Sequence, residues 1–171
     1  SNRVLQFDGA DTVTIPAGDL VVSDPVSLPV LAEQRRAVSL YLTGSNVRSS
    51  QHSNGLTTSY VTGAGGGDET RSVDGDAYTR TTTALHWLSA IEVFTASAAG
   101  AIVAFGDSIT DGSCATVDAH DRWADWLAVR LDAMDDPVVR RAVVNKGIGG
   151  NTVIREYLRP APNSTPGVER I

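Results

Sequence analysis

Ser108 is the residue best placed for covalent chemistry. It follows Gly106 and Asp107 at the end of an apolar run, Ile102 to Phe105. A short continuous apolar run bounded by glycine predicts a strand buried on both faces, the usual state of a parallel strand. Open α/β sheets bind their ligands at the carboxyl ends of such strands. A serine hydroxyl placed there becomes a nucleophile once a base takes its proton. The competing reading is structural, with Ser108 as the N-cap of the helix that Ile109, Thr110 and Asp111 would begin.

A second group with chemical potential is the glycine cluster Gly147-Ile148-Gly149-Gly150, followed by Asn151 and Thr152. As a dinucleotide-binding fingerprint it fails, because Thr152 takes the place of the third glycine. Glycines leaving a parallel strand have another use: without a Cβ, their N–H groups can closely approach a bound oxygen. The glycine run from Gly63 to Gly67 is a surface loop rather than a phosphate cradle, since it lacks the P-loop lysine and the following helix.

The other reactive side chains read as structural. His52 lies in the polar segment Ser49 to Asn54 and His86 elsewhere in the β-rich part of the chain, and neither has a neighbour at zinc-ligand spacing. Each is expected to be a surface or packed histidine, although a loop such as that of His52 could line a cleft. His120 stands beside Asp118 and Asp121, a trio that capping and solvation explain better than a metal. Cys114 is the single cysteine, which rules out a disulfide within the chain, and it reads as an idle thiol.

The block Gly106-Asp107-Ser108-Ile109-Thr110-Asp111-Gly112 resembles the first signature of the SGNH/GDSL hydrolase superfamily. It is not the G-x-S-x-G elbow of α/β-hydrolases, because Thr110 stands where the second glycine would be. The segment Gly147 to Thr152 resembles the family's second block, in which one glycine supplies an oxyanion-hole N–H. The matching residue is Gly150, with Gly149 the alternative if the alignment shifts by one. The resemblance implies a flavodoxin-like three-layer α/β domain and a serine esterase working through an acyl-enzyme, with no metal or organic cofactor. It assigns Ser108 as nucleophile and the N–H groups of Ser108 and Gly150 as oxyanion donors. The family's base lies in an Asp-x-x-His block and a further donor in a Gly-x-Asn-Asp block, and neither pattern occurs here. The expectation is therefore a truncated hydrolase domain, completed by a C-terminal fragment of the same protein as a second chain.

These residues need elements to position them. Residues 1–99 read as a β-rich unit of sandwich or jelly-roll type. Its candidate strands are Val4–Phe7, Thr12–Ile15, Leu20–Val22, Val26–Leu28, Ala37–Leu42, Leu56–Val61, Tyr78–Thr83 and Trp87–Thr95, with a turn at Asp8-Gly9. Tyr41, Tyr60, Tyr78 and Trp87 fall in these strands and are expected to pack inside. Small residues from Ala96 to Gly100 form the joint, and residues 100–171 are the first part of the hydrolase domain. There Asp121 to Met134 predicts a helix, with Asp121 as N-cap, Pro137 as stop, and an apolar face of Trp123, Trp126, Leu127, Leu131 and Met134. Arg141 to Lys146 carries the next strand, completing a βαβ unit. Thr165 and Pro166 read as a helix start. Asn163-Ser164-Thr165 matches a glycosylation acceptor but reads more simply as polar loop and cap.

Composition bounds the function. A formal charge of −6 leaves no basic surplus for phosphates, which disfavours a nucleic-acid partner. No apolar run approaches the roughly 20 residues of a membrane span. By analogy the substrate is a small-molecule or polysaccharide ester and the location secreted or extracytoplasmic. The alternatives are a carbohydrate-binding module on an inactive hydrolase fragment, or a thioesterase or phosphoesterase on the same scaffold.

Overall fold

The computed structural model describes residues 2–31, 34–95, 100–134, 136, 138–154 and 166–170. These form two compact units, one of Ser1–Ser45 with Thr62–Thr79 and one of Asn46–Val61 with Arg80–Ile171.

In the first unit the Asp8-Gly9 turn forms as its sequence requires. Phe7 and Ala10 exchange both backbone hydrogen bonds, at 2.8 and 3.0 Å. Asp8 and Gly9 both take positive φ, the conformation that makes Asp-Gly favourable in such a turn. The Asp24 carboxylate holds the turn from outside, accepting from the N–H groups of Asp8 at 3.1 Å and Gly9 at 2.8 Å. Beyond this bridge, the expected strands from Val4 to Leu42 form no ladder among the described residues. The two-sheet sandwich expected of residues 1–99 is not what the described residues form. Prolines 16, 25 and 29 remove donors along these segments, and Tyr41 is 50% exposed rather than packed.

The second unit holds the regular elements. Strand β1 (Gln51–His52) pairs antiparallel with β4 (Leu85–His86), and β2 (Ser59–Val61) pairs antiparallel with β3 (Arg80–Thr82). Tyr60 lies in β2 but is 65% exposed, so it too is not a core residue. Strands β5 (Ala101–Gly106) and β6 (Ala142–Gly147) pair in parallel, in a register that sets Gly106 opposite Gly147. Between them run α1 (Ser108–Asp111) and α2 (Trp123–Asp132), so the strand, helix, strand order predicted from the sequence is the one formed. A single 3₁₀ turn, Gly167–Glu169, closes the described chain; Thr165 and the Asn163-Ser164-Thr165 sequence lie outside the described residues.

Three details differ from the sequence reading. Arg122, not Asp121, caps α2: the Asp125 carboxylate accepts from the Arg122 N–H at 3.1 Å, while Asp121 accepts from the Thr116 N–H at 2.9 Å. Pro137, the expected stop, lies outside the described residues. The helix buries Ala124, with Leu127 and Leu131 half-buried, and leaves Trp123, Trp126 and Met134 exposed. That inner face has the same helical spacing as the predicted one, rotated so that the small Ala124 is its buried residue. Strand β5 is also not buried on both faces. Ala104 is buried, whereas Ile102, Val103 and Phe105 remain exposed, because among the described residues β6 is the single strand beside β5.

Candidate active site

Ser108 is the first residue of α1, directly beyond the carboxyl end of β5, and is half-buried. The capping role falls to its neighbour. The Asp107 carboxylate accepts from the Ile109 N–H at 2.9 Å, and Asp107 has the extended backbone of an N-cap. The N-cap reading of Ser108 is thereby replaced, and its hydroxyl is not committed to starting the helix.

A helix of four residues cannot hold itself, because nucleation costs more than one turn of hydrogen bonds returns. It closes through the Asp111 N–H to the Asp107 carbonyl at 2.9 Å and the Gly112 N–H to the Ser108 carbonyl at 3.0 Å. Beyond these bonds, the Asp107 cap and the Ser113 N–H to the Ser108 carbonyl at 2.9 Å, the turn is held from outside. Two glycines let it lie directly on the strand ends. A Cβ at Gly106 would stand 2.2 Å from Thr110 Oγ1, and one at Gly147 would stand 2.2 Å from the Asp111 backbone nitrogen. Asn145 ties β6 to the same turn, its Nδ2 donating to the Thr110 carbonyl at 2.7 Å while its Oδ1 accepts from the Gly147 N–H at 2.9 Å.

From the far side, Asp111 carries the remaining tie. Its carboxylate is 4% exposed and takes one donor on each oxygen: His52 Nε2 at 2.8 Å on Oδ1, and Asn54 Nδ2 at 3.2 Å on Oδ2. Burial pushes its pKa upward, but the His52 and Asn54 hydrogen bonds and the His52 and Arg122 charges outweigh that. The net result lies below the ordinary carboxylate range. The backbone behind His52 and Asn54 is held in turn, since Arg122 Nη2 donates to the carbonyls of Asn54 at 2.7 Å and Gly55 at 2.9 Å. Thr58 donates its N–H at 2.7 Å and its hydroxyl at 2.5 Å to the Asp118 carboxylate.

The glycine cluster arrives at the same place from β6. The Ile148 N–H donates to the Gly106 carbonyl at 3.0 Å, and the Asn151 N–H donates to the Ile148 carbonyl at 3.0 Å. The turn so closed sets Gly150 at φ +79°, the third position of a type II turn, where glycine is favoured. Gly149 is brought against Ser108: a Cβ there would lie 3.9 Å from Ser108 Cβ, an ordinary contact. The two sequence motifs therefore meet.

A cleft of about 380 Å³ opens beside this turn, with Phe105, Asp107, Thr110, Asn151, Val153 and Val168 among its walls. The Arg170 guanidinium lies 4.5 Å from the ring centroid of Phe105, one of these walls. Arg170 also donates to Asn151 Oδ1 at 2.7 Å and the Lys146 carbonyl at 2.6 Å. Partial burial lowers its pKa from the usual guanidinium value.

Sequence reasoning singled out Ser108, Gly149 and Gly150 but missed Asn145, Arg170 and the partnership of His52 with Asp111. One signal was present for the last, an acid inside the first signature block in a segment otherwise destined for burial. His86 is structural as expected, with Nδ1 2.9 Å from Ser49 Oγ. Asp118 and Asp121 accept from Thr58 and Thr116, so both carboxylates of the His120 trio serve backbone N–H groups. Cys114 is exposed.

No curated protein matches the chain. Residues 104–168 match the sequence model of the GDSL-like lipase/acylhydrolase family. That span opens two residues before Gly106 and takes in Ser108, both strand-end glycines, the glycine turn and the cleft. The segment from Ala104 to Val168 thus belongs to the GDSL-like lipase/acylhydrolase family, within the SGNH/GDSL hydrolase superfamily.

Proposed function

We propose that the protein is a serine esterase hydrolysing carboxylic esters through an acyl-enzyme. Ser108 Oγ gives its proton to the base and attacks the carbonyl carbon, and the N–H groups of Ser108 and Gly150 stabilise the oxyanion. The ester C–O bond breaks and the alcohol leaves with that proton, and water then releases the acid from the acyl-serine. The observation that carries this reading is the convergence of the two glycine-bearing strand ends on α1. It leaves the Ser108 side chain free of the capping role and sets the glycine turn against it. The cleft beside the turn, with Phe105, Val153 and Val168 on its walls, suits the apolar part of an ester. The proton acceptor is a histidine from a segment beyond these 171 residues, since the family's Asp-x-x-His pattern does not occur within them. An acylated saccharide encountered outside the cytoplasm is the substrate we favour.

The test is a panel of ester, thioester and phosphoester substrates, run with the full-length protein and its Ser108→Ala variant, alongside fluorophosphonate labelling. Ester turnover and labelling that both vanish in Ser108→Ala support the reading. Retained turnover in the variant, or preference for a phosphoester, overturns it. Loss of one oxyanion donor elsewhere should lower the rate by roughly 10² to 10³.

A further inference from the structure

The histidine–aspartate pair at the back of α1 has no part in the chemistry just described, yet it is built at some cost. Asp111 is the one buried charged residue among those described, and a buried carboxylate persists only when its oxygens are satisfied. Both donors, His52 and Asn54, come from β1 and the turn after it, more than fifty positions upstream of the nucleophile. The same segment is fastened a second time through Arg122 to the carbonyls of Asn54 and Gly55, and a third through Thr58 to Asp118. Ser108 and Asp111 lie three residues apart on one short turn, and that turn cannot persist by itself.

We infer that His52 is a positioning residue for the Ser108 nucleophile: by donating from Nε2 to the buried Asp111 carboxylate, it clamps the α1 turn against the ends of β5 and β6. The inference rests on Ser108 as nucleophile. It gives the upstream segment a role in the reaction without placing it in contact with substrate. In this role His52 serves through its Nε2 N–H donor, which separates it from a general base.

Two substitutions divide those roles. Glutamine carries its amide N–H close to where the histidine Nε2 sits but cannot act as a base, whereas leucine fills the space with no donor. In the full-length protein, His52→Leu should lower kcat by about tenfold to a hundredfold with KM little changed, as expected for a nucleophile displaced by a fraction of an ångström. His52→Gln should restore kcat to within about threefold of the parent. Amide hydrogen exchange supplies a readout independent of turnover: the N–H groups of Asp111, Gly112 and Ser113 should exchange faster in His52→Leu and at the parental rate in His52→Gln. Parental exchange and kcat in His52→Leu would overturn the inference. So would a His52→Gln variant as slow as His52→Leu, which would make His52 the base. If hydrolysis does not depend on Ser108, the esterase reading fails, and the exchange comparison still decides whether His52 holds the turn.

Discussion

Replacing Gly147 by alanine tests how tightly the α1 turn that carries Ser108 is seated. The three atoms nearest the added Cβ are all backbone: the Asp111 nitrogen at 2.2 Å, Asp111 Cα at 2.6 Å and the Thr110 carbonyl carbon at 2.8 Å. No side chain can rotate away, so the turn must retreat until these contacts approach 3.4 Å, a shift on the order of 1 Å in a close-packed region. Overpacking of this kind costs about 1–3 kcal/mol of stability. The functional cost is larger, because a misplacement of about 1 Å at a reacting atom can lower the rate roughly 10²-fold. Urea denaturation, the fluorophosphonate labelling rate of Ser108 and kcat/KM on p-nitrophenyl acetate measure the two costs separately. Gly149→Ala is the comparator, since its Cβ makes only an ordinary 3.9 Å contact with Ser108 Cβ. A Gly147→Ala protein with the parental midpoint and labelling rate would refute the claim that α1 lies directly on the strand ends.

Two further outcomes follow from the same region. Asn145→Ala leaves the Thr110 carbonyl and the Gly147 N–H without their partner, and should cost about 1–3 kcal/mol in the urea midpoint; a change below about 0.5 kcal/mol would count against Asn145 as the tie between β6 and α1. Asp111 has a folded-state pKa below its unfolded value, so its contribution is fully present above about pH 4 and is lost as pH falls through the folded value. Asp111→Asn should therefore be less stable at pH 7 and show a shallower loss of stability between about pH 4 and 2. Equal acid limbs in the two proteins would show that the carboxylate is not held as described.

What the sequence discloses and what it hides divide along physical lines. The βαβ order, Ser108 and the glycine turn were legible because each is written in a contiguous run: an apolar strand ending in glycine, a helical repeat, a glycine cluster. The partnership of His52 with Asp111 was not, because it joins residues far apart in sequence, and the polar run around His52 has the composition of any exposed loop. The cap of α2 was misplaced by one residue because Asp121 and Arg122 compete, and the winner depends on the Asp125 carboxylate reaching back. The strands expected between Val4 and Leu42 have suitable residues, but ladder formation depends on a partner edge, which local propensity does not encode. Trp123 and Trp126 mark a helix face by spacing, yet spacing alone does not say which of two overlapping faces meets the sheet.

The rung that pairs Gly106 with Gly147 acts as a common origin for both motifs. Ser108 is counted two residues onward from one glycine, and the glycine turn is counted onward from the other, so the distance between them is set at the rung and not by the chain that connects them. The crossover between Gly112 and Arg141 can therefore change length without resetting this rung, provided that Asp118 and Arg122 still reach the segment behind α1. A single residue inserted within Ala101–Gly106 or Ala142–Gly147 would put a side chain under α1 and shift one motif against the other.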